Sequence, residues 1–159
     1  ALSLLCRGNG HVKTFFSVGQ HCILCAKEAM ARGLPRRLAL AALLHDASEC
    51  YMSDVPRPFK KSLPKYQRQE EKLLCIIYEK YLGTGLSAKE EQQLKNIDND
   101  LLWYDLKFLL NEEPPQPKPS VCVPIDYTVR PFQEVEDEYR MLFKQLRADI
   151  HNSDLLDHD

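Results

Sequence analysis

With 159 residues, 44% of them hydrophobic and 28% charged, the chain is long enough for one domain with a single core and has an ordinary globular composition. A formal net charge of −2 supplies no global positive field, which argues against a nucleic-acid partner. No apolar run approaches the roughly 20 residues that would span a bilayer. Ala1 to Arg7 is too short and too weakly basic for a signal peptide, and the missing initiator Met is consistent with a trimmed start.

Helical signals dominate in chain order. Ser17-Val18-Gly19-Gln20 has the form of a capping box, and the helix it opens carries Ile23, Leu24 and Met30 before Gly33, a favourable C′ residue. Pro35 suits the first turn of a second helix, from Arg36 to about Cys50, which is apolar nearly all round and therefore expected at the centre of the core. Two prolines make 53–58 a loop. A third helix from about Lys65 to Leu82, stopping at Gly83, has Leu73, Leu74, Ile76, Ile77, Tyr81 and Leu82 as its core stripe. Ser87-Ala88-Lys89-Glu90 is a second capping box and opens a helix reaching about Asn111. Pro114, Pro115, Pro117 and Pro119 stiffen an extended segment, and a last amphipathic helix starts near Pro131, with a frayed tail from Asn152.

No β-period alternation exceeds four residues, so the expected fold is an all-α, single-domain bundle of about five helices. Its core spans 15–110, followed by a proline-rich segment (112–130) and a C-terminal helix (131–150). The six cysteines read as reduced, with Cys22, Cys25, Cys50 and Cys75 as small core hydrophobes of a cytoplasmic protein.

Leu43-Leu44-His45-Asp46-Ala47-Ser48-Glu49 carries the chemistry. It sets a His, an Asp and a Glu at the polar end of an apolar helix, where an uncompensated carboxylate costs several kcal/mol, so Asp46 requires a partner. A His-Asp dipeptide at a helix end ordinarily only caps or pairs at the surface. Here three features point further. His21 lies in the first turn of the preceding helix, which a short connection makes an antiparallel neighbour. Asp100 sits mid-helix between Ile97 and Leu101-Leu102. Asp54 follows in the proline-bounded loop.

The order His…His-Asp…Asp resembles the HD-domain superfamily of metal-dependent phosphohydrolases. The segments Ser17 to Cys22, Leu44 to Glu49, Ser53 to Lys60 and Asn99 to Leu102 resemble its YfbR group, bacterial 5′-deoxynucleotidases and their phage-borne relatives. The resemblance covers roughly residues 15 to 110. It implies His21, His45, Asp46 and Asp100 as metal ligands, Glu49 and Asp54 as the acids that position water and handle protons, and Lys60 and Arg7 at the substrate phosphate. Asp98 and Asp105 are alternatives for the last ligand, Asp98 lying on a different helical face from Asp100. The family's Arg-Trp pair is matched only by Arg7, since Gly8 stands where the Trp would be, and Gln20 stands where a Glu is usual.

Two imidazoles and two carboxylates suit one divalent transition ion (Mn, Co, Fe, Ni or Zn) with open positions. The implied activity is removal of phosphate from (deoxy)nucleoside 5′-monophosphates by a homodimeric enzyme. The alternatives are hydrolysis of a nucleoside triphosphate, a cyclic dinucleotide or guanosine tetraphosphate, or a silent nucleotide-binding module. Cys22 and Cys25, His11, His151, His158 and Trp103 read as structural or idle.

Overall fold

The first 44 residues fold around one tightly buried helix pair. A computed structural model describes the backbone of residues 1–153 and the side chains through 148; His158 and most of the expected frayed tail, with the side chain of His151, lie outside the described residues. Helix α1 (Val18–Ala31) starts at the Ser17–Gln20 capping box, in which both reciprocal hydrogen bonds form. Helix α2 (Arg36–Leu44) follows, and its residues Leu38 to Leu44 are all at most 4% exposed. The helix expected to be central is central. It packs against α1, and also against α5 (Pro64–Leu82), α6 (Ala88–Tyr104) and α7 (Phe132–Ser153).

These five helices of nine residues or more, and the lack of any strand among the described residues, make an all-α bundle. Two single-turn helices, α3 (Glu49–Met52) and α4 (Arg57–Lys60), interrupt segments expected to be continuous helix and plain loop. α2 stops six residues earlier than the sequence suggests. From Leu44 the backbone tightens to three-residue spacing, with Ala47 N–H on Leu44 O and Glu49 N–H on Asp46 O, while the His45 ring takes the Ala42 carbonyl at 2.7 Å. The nearby Leu43 carbonyl accepts from Tyr139 Oη of α7 at 2.6 Å.

Two expectations about burial need correction. On α5, Ile76 is 60% exposed and Tyr78 is buried in its place, because the inward stripe runs through Leu74, Tyr78 and Leu82 at four-residue spacing. Cys50 and Cys75 are exposed, and only Cys22 and Cys25 behave as core residues; all six thiols are free.

Prolines leave the segment after α6 with few N–H donors, so side chains fasten it. Trp103 Nε1 donates to Gln116 O and Tyr104 Oη to Pro119 O, both at 2.8 Å, so Trp103 serves this segment rather than the core. Glu28, fully buried on α1, accepts from the N–H groups of Cys122 and Val123 at 2.9–3.0 Å and from Arg32 Nε at 2.7 Å.

Candidate metal centre

His21 stands one turn into α1 and His45 directly after α2, so the antiparallel pair brings the two rings to a centroid separation of 5.4 Å. Asp98 of α6 completes the approach. Its Oδ1 lies 3.1 Å from His21 Nε2 and 3.7 Å from His45 Nε2, while Asp46 Oδ2 lies 3.3 Å from His45 Nε2. Ligand atoms about 2.1 Å from one ion are about 3.0 Å apart at right angles and about 3.4 Å apart in a tetrahedron, so these spacings fit a shared cation. The ligand-type atoms of His21, Cys25, His45 and Asp98 all lie within 4.8 Å of one another, and a second group joins Cys22, His45 and Asp46. The protein therefore has a buried His/Cys/Asp cluster able to hold a metal ion.

The chemistry of His45 fits a cation best. Its Nδ1 is committed to the Ala42 carbonyl, so in the neutral ring the lone pair sits on Nε2, which is buried with no hydrogen-bond partner among the described residues. An orphaned buried nitrogen facing two carboxylates is costly unless something is shared between them.

Of the four residues implied as ligands, His21 and His45 come together, Asp46 meets His45 alone in the second group, and Asp100 joins neither. Asp100 Oδ2 accepts from Arg32 Nη2 at 2.8 Å, out on the α1–α6 seam, and it is Asp98 that stands beside the two imidazoles. The physical reason is helical phase. Asp98 lies four residues after Leu94 and three before Leu101, both buried, whereas Asp100 is turned off that stripe. Asp105, the other alternative, is buried at the junction of α6 with a π-helical turn (Asp105–Leu109) and stands behind His21.

The acids expected to work on protons are both present. Glu49 is 4% exposed with Oε2 unpartnered, and burial, then the neighbouring Asp46 and Asp54 charges, push its pKa up to about 9. Asp54 accepts the Gly8 N–H at 2.9 Å. That contact needs Gly8 at φ +59°, a left-handed conformation in which a Trp would be strained.

The N-terminal strap positions Arg7. Val18 and Gly19 donate to Leu5 O and Leu2 O, and Arg7 N–H to Phe16 O, laying the strap over the first turn of α1. Arg7 then reaches Asp105 at 3.1–3.2 Å and Asp46 at 3.6 Å. The Lys60 ammonium pairs with Glu70 of α5 at 2.8 Å. Arg57, one turn earlier, is a second cation at the cluster beside Arg7, with Nη2 2.5 Å from Asp98 Oδ2 and Nη1 2.9 Å from Asn99 Oδ1. Its place between two prolines gave the sequence no means of separating it from Lys60. Between α5 and α6 a cleft of about 530 Å³ opens beside His45 and Asp98, with Arg57, Lys95 and Glu91 at its charged edge, Tyr78 inside and Leu86 among its apolar walls.

No family model matches the chain. Over 81 residues it is 46% identical to YfdR, an uncharacterized protein of Escherichia coli strain K12, a match covering 51% of this chain and 43% of that protein. Over 104 residues it is 32% identical to an uncharacterized protein of Rhodobacter capsulatus, covering 61% and 53% respectively. The chain spans about half the length of the curated relatives it matches. Neither relative brings an activity with it. Among the described residues no helix is long and apolar enough to cross a membrane.

Proposed function

We propose that this protein is a metal-dependent phosphohydrolase that removes phosphate from small phosphomonoesters, (deoxy)nucleoside 5′-monophosphates first among them. The observation that carries the reading is the free, buried Nε2 of His45, set between Asp46 and Asp98 and beside His21. His21, His45 and Asp98, with Cys25 beside them, would hold one divalent transition ion (Mn, Co, Fe, Ni or Zn), and Asp46 would approach it from the His45 side. When bound, such an ion acidifies water and neutralises phosphoryl charge.

The chain's own residues supply the rest. Glu49, uncharged at neutral pH, is placed to give a proton to the departing oxygen. Asp54, held by the Gly8 N–H, remains an acceptor able to orient water. Arg57 and Lys95 at the edge of the cleft balance phosphate charge, and the leucine-lined wall suits a flat base. The resemblance of residues 15–110 to the YfbR group supports the nucleotide assignment.

A catalytically silent nucleotide-binding module is the second reading, favoured by the Arg57 guanidinium on Asp98. Phosphate release from a panel of deoxy- and ribonucleoside 5′-monophosphates with added Mn, Co or Zn separates the two. The expected result is metal-dependent turnover that falls by about a thousandfold or more in Asp46→Ala, while Arg57→Ala raises KM about tenfold, the scale of one lost charged contact. Nucleotide binding without release under any metal would establish the silent module instead.

A further inference from the structure

Asp105 is among the most heavily engaged carboxylates in the protein. It is 2% exposed and meets side chains from three separate parts of the chain. Its Oδ1 accepts from Tyr127 Oη at 2.8 Å, and its Oδ2 accepts from Arg7 Nε at 3.2 Å and Nη2 at 3.1 Å. The same Oδ2 stands 3.1 Å from His21 Nδ1, off the axis of the ring N–H, so the contact is close but bent.

A neutral imidazole has one lone pair, and which nitrogen carries it depends on where the other nitrogen's proton is held. His45 settles this through the Ala42 carbonyl. His21 has no backbone carbonyl in that position: Asp105 is the acceptor close to its Nδ1, while its Nε2 is in hydrogen-bond contact with Asp98 Oδ1 at 3.1 Å, so two carboxylates compete for the ring proton. Polar contacts of this kind are commonly misaligned before a site is loaded and straighten afterwards. A carboxylate free to rotate would hold the ring poorly. Tyr127 on one oxygen and Arg7 on the other fix its plane.

We propose that Asp105 is the positioning residue of His21, keeping its proton on Nδ1 so that Nε2 is offered to the cation, and that Tyr127 in turn positions Asp105. The connector between α6 and α7 is thereby part of the site, although it lies outside the segments that resemble a known family. The inference rests on the metal-centre reading above.

The test uses the full chain and cobalt alone as probe. Affinity is measured by competition with a chromophoric chelator, and the His21 tautomer by long-range ¹H–¹⁵N correlation in metal-free protein at a pH where the ring is neutral. Asp105→Asn is expected to lose about 10- to 100-fold in cobalt affinity, the usual cost of removing such a partner, and to shift the His21 proton from Nδ1 to Nε2. Asp105→Glu recovers part of both, and Tyr127→Phe loses affinity severalfold. Unchanged affinity and tautomer in a folded Asp105→Asn protein would overturn the proposal. If Asp105→Asn does not fold, Tyr127→Phe decides, and wild-type affinity there counts against it. A wild-type chain that binds no cobalt, yet shows the tautomer shift on substitution, would uphold the positioning role and sink the metal reading instead.

Discussion

Asp98→Asn is expected to abolish tight divalent-ion binding, while Asp100→Asn leaves it at the wild-type level. Asp98 sets Oδ1 3.1 Å from His21 Nε2 and 3.7 Å from His45 Nε2, and its carboxyl is held well below the usual range because, although burial opposes it, the hydrogen bond to His21 and the adjoining His45 ring favour the anion. An amide there lacks the charge and presents an N–H₂ to a cation, which predicts a loss on the order of a hundredfold or more. Asp100 is a partner of Arg32 in a part-exposed pair, worth about 0–1 kcal/mol of stability. Isothermal titration of both variants with zinc checks the contrast. Equal losses in the two, or a loss confined to Asp100→Asn, would mean that the cluster has been wrongly composed.

Glu49→Gln is expected to stabilise the metal-free protein increasingly as pH rises. In the folded chain the Glu49 pKa is raised to about 9, by burial first and then by Asp46 and Asp54, against about 4.5 when unfolded. Between these values the folded state holds a proton that the unfolded state releases, so wild-type stability falls as pH rises through the window. Below about pH 4.5 the two states are equally protonated and Glu and Gln behave alike. Above about pH 9 the penalty is complete, with an upper bound of about 6 kcal/mol. Urea midpoints recorded with chelator from pH 5 to 9 should diverge between wild type and variant. Parallel curves would mean that Glu49 is ionised throughout. The same substitution removes the proton donor, so it should lower phosphate release even where it raises stability.

The helical frame was legible because capping boxes and apolar periodicity are local signals. Ser17–Gln20 and Ser87–Glu90 form both of their reciprocal bonds, and α2 is buried all round as its composition requires. The early end of α2 was not legible, since the competing His45 contact to Ala42 O shows only in three dimensions. Asp98 was within reach: its spacing from Leu94 and Leu101 places it nearer the core stripe than Asp100, and Asp105 follows two turns later on the same face. The resemblance to a known family points instead to Asn99-Asp100-Leu101-Leu102, a likeness of residue order that carries no information on helical phase. Lys60 was drawn away by Glu70 and Tyr127 was brought in by the connector. Both depend on contacts between residues 10 and 22 positions apart, across segments with no periodic pattern to read.

The most direct test of the metal centre is equilibrium dialysis of the full chain against manganese, cobalt or zinc, with retained metal counted per protein by atomic absorption. One ion per wild-type chain, and none in a His45→Ala variant that keeps its helical circular dichroism, is the expected result. Retention unchanged by His45→Ala, or no retention by the wild type of any of the three ions, would contradict a cation held by His21, His45 and Asp98 with Asp46 on the His45 side.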